Sequence, residues 1–195
     1  RCLVGSEMCI RDRGKLNGNT VVTTVMSNMG LYKAFEREDI NYEQTAVGDK
    51  YVAENMLENN YSIGGEQSGH VIFSRYAATG DGILTSLMIM EACVEQKATL
   101  CDLAKEMKVY PQILRNVRVA DKKTARENPK VVEAVEAAAR ALSTEGRILV
   151  RESGTEPLIR VMVEAGTEEI CAEHVNNVVR VMEEEGLIAV SYTHL

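Results

Sequence analysis

The stretch Arg147–Glu164, RILVRESGTEPLIRVMVE, decides how the second half of the chain folds. Two apolar runs, Arg147–Arg151 and Leu158–Glu164, flank a polar segment, Glu152–Pro157, that holds a glycine and a proline. β-Branched residues suit a pleated, half-buried surface, and Gly and Pro mark the turn between such runs. The spacing predicts two strands joined by a loop. Upstream, Asn128-Pro129 caps and starts a helix with Val131, Val132, Val135, Ala139 and Leu142 on one face. Asn accepts a bond from the first free amides, and Pro has no amide to lose there. Downstream, Thr167 caps a last helix bearing Ile170, Cys171, Val175, Val178, Val179 and Met182, which stops at Gly186. With a strand over Asn116–Val119 the order is β-α-β-β-α. That is a small α+β domain of about 75 residues, close to the lower limit for independent stability.

The first half has another rhythm. Val21–Met26 (VVTTVM) reads as a strand, and Asn28 caps a helix carrying Leu31, Ala34 and Phe35. Tyr42–Val47 is a second strand. Gly48-Asp49 opens a helix with Val52, Met56 and Leu57 on one face. Tyr61–Ile63 is a short strand running into the Gly-rich loop Gly64–Gly69, and Val71–Ser74 follows as another. Ile83, Leu84, Leu87, Met90 and Val94 recur at helical spacing, and Gly80-Asp81-Gly82 starts that helix. Thr99 with Asp102 forms a capping box for a short helix bearing Leu100, Leu103 and Met107. Alternating strands and helices predict a parallel α/β layered domain over 14–107. Lys108–Leu114, with Pro111, reads as a linker, and the α+β domain occupies 108–189.

The two ends fit neither pattern. Arg1–Arg13 (RCLVGSEMCIRDR) and Val190–Leu195 (VSYTHL) resemble translated read-through of sequencing adapters, and are expected to add nothing to the fold.

Composition narrows the function. The 195 residues are 45% apolar and 26% charged, an ordinary globular balance. No apolar run approaches the roughly 18–20 residues that cross a bilayer, so no membrane partner is expected. With 22 Lys+Arg against 29 Asp+Glu, the net charge of −7 argues against nucleic acid. Five cysteines without C-x-x-C, and only three histidines, give no zinc spacing and no metal ligands. Cys93, Cys101 and Cys171 fall on apolar helix faces as buried thiols, which fits a reducing cytoplasm.

Two loops carry the chemistry. In Arg151–Pro157 (RESGTEP), short hydroxyls and a glycine that admits close approach suit a phosphate oxyanion. Arg151 ends the incoming strand, and Arg160 on the outgoing strand adds a second positive charge. The same residues also suit a plain solvated hairpin loop. In Gly64–His70 (GGEQSGH), Glu66, Ser68 and His70 alternate, so an extended backbone aims all three one way, toward a polyol such as a sugar. A polar turn with a satisfied histidine reads equally from this loop alone.

Taken together, GGEQSGH and SGTEPLIRVMVEA resemble the alpha-D-phosphohexomutases. VMSNMGL (Val25–Leu31), VGDKYVAENM (Val47–Met56) and TGDGIL (Thr79–Leu84) support the resemblance, which runs from about Lys15 to Leu187. It implies a four-domain enzyme of which this chain holds domains three and four, the fourth with a TATA-binding-protein-like fold. Glu66 and Ser68 are then expected to bind sugar hydroxyls, with His70 near the reacting hydroxyl in a proton-transfer role. Arg151, Ser153, Gly154 and Thr155 are expected to bind the substrate phosphate. Glu152 stands where many members have Pro, and Lys50 where many have Arg.

The family's phosphoserine loop, T-A-S-H-N-P-like, and its Mg²⁺ loop, D-G-D-G-D-R-like, are both absent from this sequence. The resemblance therefore implies a fragment, inactive alone, whose partners are a sugar phosphate and the missing N-terminal domains. The parent reaction would interconvert glucosamine 6-phosphate and glucosamine 1-phosphate through a bisphosphate, in amino-sugar and cell-wall precursor synthesis. Gln67 in GGEQSGH leans toward glucosamine. The alternatives are a phosphomannose or phosphoglucose mutase fragment, and a stand-alone sugar-phosphate-binding module.

Overall fold

The computed structural model describes residues 14–105 and 107–189. The suspect ends, Arg1–Arg13 and Val190–Leu195, lie outside the described residues. Contacts divide the chain into two compact units, Arg1–Val109 and Tyr110–Leu195.

The first unit is built on a four-stranded sheet of order β2-β1-β3-β4: β1 Thr20–Thr24, β2 Asn41–Thr45, β3 Ile63–Gly65 and β4 Val71–Phe73. β1 pairs in parallel with β2 and β3, while β4 returns antiparallel to β3. The parallel layer expected from sequence thus gains one antiparallel edge strand, because the loop between β3 and β4 is too short for a crossover. Successive residues alternate between the faces. Val21, Val71 and Phe73 pack with Ala34 and Phe35 of α1 (Met29–Arg37), and Leu84 and Met88 of α3 (Gly82–Gln96) pack against that cluster. Val22 and Ile72 pack with Val52 and Met56 of α2 (Asp49–Asn59) on the other face. Helices therefore cover both sides of the sheet. Asn28 caps α1, its side chain accepting from the Gly30 amide at 3.0 Å. Thr99 and Asp102 form the capping box of α4 (Leu100–Ala104).

Several sequence expectations shift here. The strand predicted at Tyr61–Ile63 lies at Ile63–Gly65, so two of the loop glycines are strand residues. Gly64 is needed there: a Cβ would sit 2.6 Å from the Met56 sulfur and 2.7 Å from Val52 Cγ1. Val47 lies beyond the end of β2, and Leu57 points to solvent. On α3, Ile83, Leu87, Met90 and Val94 are exposed, and Ala92 is the buried residue. Among the described cysteines only Cys171 is buried; Cys93 is half-buried and Cys101 exposed.

The second unit is a three-stranded antiparallel sheet, order β5-β7-β6, with β5 Gln112–Arg118, β6 Arg147–Glu152 and β7 Leu158–Glu164. Its core joins Val117, Ile159, Val161 and Val163 to α6 (Pro129–Leu142) and α7 (Glu168–Glu184). β5 begins directly after Pro111, inside the predicted linker, because a proline before the first strand residue costs no ladder bond. A short helix, α5 (Lys122–Glu127), precedes α6 and was not expected. The buried faces are Val131, Ala134, Ala138 and Leu142 on α6, and Cys171, Val175, Val178 and Met182 on α7. Val132, Ala139 and Ile170 turn outward instead. Among the described residues no helix is long and apolar enough to cross a membrane.

Candidate functional site

The Gly64–His70 loop leaves the carboxyl end of β3, beside the end of the parallel strand β1. That edge is where parallel α/β sheets place ligands. The loop is a tight turn rather than extended backbone: the Gly69 amide donates to the Glu66 carbonyl at 3.0 Å, and the Glu66 amide to the His70 carbonyl at 3.0 Å. Gly69 takes φ 98°, which a side chain would oppose. The turn, not strand alternation, brings the three groups together. Ser68 Oγ donates to Glu66 Oε1 at 2.8 Å and lies 2.9 Å from His70 Nδ1. Nδ1 is also 3.3 Å from Glu66 Oε1.

A hydroxyl has one proton to donate. With that proton on Glu66, Ser68 accepts from His70 Nδ1–H. His70 is exposed. A cavity of about 300 Å³ adjoins the loop, lined by Thr23, Ser27 and Asn28 beyond β1 and by Gly65, Glu66 and Gln67 beyond β3.

In the second unit the β6–β7 loop closes the hairpin. Arg151 and Arg160 are direct partners across β6 and β7, and Asn116 of β5 is the partner of Arg160 on its other side. These three therefore form one row across the sheet. Like charges directly opposite one another destabilise a sheet. Burial and the Arg160 charge both hold the Arg151 pKa below its usual value. The buried Nε atoms of Arg151 and Arg160 have no hydrogen-bond partner among the described residues. Orphaned buried donors on paired cations form a site whose natural complement is an oxyanion.

Ser153 is buried, its hydroxyl 3.5 Å from an Arg160 terminal nitrogen. Its amide donates to the Leu158 carbonyl at 2.9 Å. Gly154 and Thr155 are exposed at the tip. Gly154 does not take the left-handed backbone, and a Cβ there would meet open space. Its contribution is an uncovered backbone, not special dihedrals.

Two contributors escaped the sequence reading. Lys122, at the start of α5, donates from Nζ to the Ser153 carbonyl at 2.8 Å and anchors the loop from below. Arg126 of α5 lies 3.3 Å from Glu152, the residue at the end of β6. Neither was visible because α5 has a single buried apolar residue, Ala125. Asn116 lay inside a predicted strand, but its place beside Arg160 depends on strand order. Lys50 sits on the exposed start of α2, 3.6 Å from Glu54. Among the described residues there is no group of three or more His, Cys, Asp or Glu that could hold a metal ion.

Residues 2–110 match the alpha/beta/alpha domain III of the phosphoglucomutase/phosphomannomutase family, and residues 114–181 match its C-terminal domain. The phosphoglucosamine mutase of Lachnospira eligens is 60% identical over 177 residues, 91% of this chain and 39% of that protein. That of Lachnoclostridium phytofermentans is 57% identical over 179 residues, 92% of this chain and 40% of the relative. The chain thus spans about two-fifths of the length of these curated relatives. Among solved structures, Aspergillus fumigatus N-acetylphosphoglucosamine mutase in complex with GlcNAc-6P and magnesium matches with a TM-score of 0.74. The match covers 95% of this chain and 43% of that one at 18% identity, a likeness of fold. The chain belongs to the phosphoglucomutase/phosphomannomutase family, of which it carries domain III and the C-terminal domain.

Proposed function

We propose that this chain is the sugar- and phosphate-holding portion of a phosphoglucosamine mutase, a longer protein interconverting glucosamine 6-phosphate and glucosamine 1-phosphate. The observation that carries the reading is the Arg151–Arg160 apposition beside the Ser153–Thr155 loop. In this assignment Arg151, Arg160, Ser153, Gly154 and Thr155 hold the phosphate that is not being transferred. Glu66 and Ser68 bond ring hydroxyls and fix which hydroxyl faces the chemistry. A hydroxyl that attacks a phosphoryl group must lose its proton, and in this assignment His70 takes it, a proton-transfer role.

The phosphoserine and Mg²⁺ belong, in this reading, to the domains that precede these two. Magnesium there would offset charge on the transferring group, while this chain orients the sugar bisphosphate before and after it turns over. The specificity for glucosamine rests on the names and identities of the relatives and on Gln67, which lines the cavity beside the loop. The free thiols Cys93, Cys101 and Cys171 suit a reducing cytoplasm.

The test joins this chain at Lys15 to the preceding region of the Lachnospira eligens relative. The hybrid should isomerise glucosamine 6-phosphate in preference to glucose or mannose 6-phosphate, and the chain alone should turn over none of them. Preference for mannose or glucose phosphate would move the assignment to the sister mutases. Turnover by the chain alone would remove it.

A further inference from the structure

Ser153 is held at both of its backbone groups. Its amide donates to the Leu158 carbonyl at 2.9 Å, and its carbonyl accepts from Lys122 Nζ at 2.8 Å. In a trans peptide the carbonyl of one residue and the amide of the next point in opposite directions. The described residues contain no cis peptide bond. A lysine on the Ser153 carbonyl therefore turns the Gly154 N–H to the opposite side of the chain. Among the described residues the amides of Gly154, Thr155 and Glu156 donate to no backbone carbonyl, so the loop's own backbone does not fix that plane.

The sheet identifies the two sides. Val117, Ile159 and Val161 face the helix-covered core, Val150 packs against it, and Ala125 of α5 is buried in the same cluster. Neighbouring strand positions alternate between faces, so Asn116, Arg151 and Arg160 project from the other face. The Ser153 hydroxyl, 3.5 Å from an Arg160 terminal nitrogen, lies on that side too. Lys122 approaches the Ser153 carbonyl from the helix side, which turns the Gly154 amide toward the arginines. Neighbours build the position of Lys122. Asp121 caps α5, its carboxylate accepting from the Thr124 amide at 2.6 Å, and Ala125 anchors the helix in the core. Arg126 ties the same helix to Glu152 at 3.3 Å.

We propose that Lys122 is a positioning residue of the phosphate loop: it holds the Ser153–Gly154 peptide in the orientation that presents the Gly154 N–H to the anion. Released, that plane can rotate by about half a turn, as between turn types I and II. The rotation moves ψ of Ser153 and carries φ of Gly154, negative in this structure, into the positive range that glycine accepts without strain. It would set the Ser153 carbonyl where the amide had been, and a carbonyl oxygen repels an oxyanion. Lys122 thus selects the binding-competent one of two backbone states. The inference rests on the reading of Arg151–Pro157 as the phosphate site and adds the residue that keeps its backbone donor in place.

The test is a titration of the chain with inorganic phosphate, followed by amide NMR, for the wild type, Lys122→Met and Lys122→Arg. Methionine keeps the stem and removes the donor, and arginine keeps a charged donor. The α7 amide shifts report that the second unit is folded, and Lys122→Gln replaces Lys122→Met if they depart from the wild type. Phosphate should move the Gly154 amide of the wild type. In Lys122→Met the Kd should rise about tenfold, as for one lost hydrogen bond to a charged group, and the Gly154 response at saturation should shrink. Without phosphate, the NOE between Ser153 Hα and the Gly154 amide proton, whose separation follows ψ of Ser153, should change in intensity. Lys122→Arg should restore all three. Weaker binding with the NOE and the Gly154 response unchanged means that Lys122 acts through its charge, and overturns the proposal. So does a Lys122→Met Kd equal to that of the wild type, which leaves the phosphate site itself standing. A wild-type protein that binds no phosphate removes the phosphate reading and this inference with it.

Discussion

Arg151 and Arg160 face each other as direct partners on β6 and β7, each with a buried Nε that has no hydrogen-bond partner among the described residues. A folded sheet keeps such a pair at a cost. Burial and the Arg160 charge both make Arg151 less stable as a cation. An anion between them offsets the repulsion. The apposition therefore links the stability of the second unit to ligand occupancy.

Arg151→Met should accordingly split two quantities that usually fall together. Phosphate affinity should drop about ten- to a hundredfold, since a hydrogen bond to a charged group is worth roughly 1.5–3 kcal/mol. Thermal stability without phosphate should stay level or rise, because a like-charge contact has gone. Inorganic phosphate at ten times its Kd should stabilise the wild-type protein by about 1.4 kcal/mol. Titration calorimetry and melting curves with and without phosphate check this. Loss of apo stability, or unchanged affinity, would show that the two arginines are structural.

Ser68→Ala should change the tautomer of His70. In the native turn Ser68 holds Nδ1, so in alkaline buffer the proton should reside on Nδ1 and leave Nε2 bare. Without the hydroxyl, Nδ1 keeps only the longer approach to Glu66. The population should then shift toward the Nε2–H form that free imidazole prefers. Long-range proton–nitrogen correlation spectra read this directly from the two ring nitrogens. Identical nitrogen shifts in the two proteins would remove Ser68 as the group that orients His70.

How far the sequence reached depended on whether a signal was local. The Asn28 cap, the Thr99–Asp102 box and the Leu158–Glu164 strand were legible, because each is set by neighbours in the chain. Helix phase was less so. On α6 the buried positions are Ala134 and Ala138 rather than Val132 and Ala139, since small residues let the helix approach the sheet more closely than valines do. On α3 an apolar circumference gives no phase at all. The Arg151–Arg160 partnership needed strand register, which the polar loop between the strands leaves open. Lys122 reached the site only through a helix with no apolar period to announce it.

Exposure should rank the thiols. Cys171 is fully buried and its Sγ–H donates to the Pro111 carbonyl at 3.3 Å, while burial pushes its pKa up. Both effects disfavour the thiolate, the species that reacts. Among the three described cysteines, iodoacetamide should modify Cys101 first, Cys93 next, and Cys171 only at the rate at which the second unit opens. Peptide mapping over a time course checks the order. Early labelling of Cys171 in the native protein would place α7 outside the core.

Glu164 is the most demanding residue in the second unit. It is fully buried, with Arg147 Nε 2.6 Å from Oε2 and Gln112 Nε2 3.1 Å from Oε1. Arg147 keeps about a quarter of its side chain in water, so the pair is dry on one side only. Removing one partner of a buried pair leaves a charge without its complement, at a cost of about 3–5 kcal/mol. Arg147→Ala should therefore destabilise the second unit by about 3 kcal/mol, the lower end, since Gln112 still binds the carboxylate. Glu164→Gln should cost less, because a neutral amide needs no counter-charge, and Arg147→Ala added to it should cost little more. Hydrogen exchange of the β7 amides, which reports the opening of this unit by itself, measures all three. If the double variant is as unstable as the two single losses summed, Arg147 stabilises the sheet by packing its stem and not by pairing with Glu164.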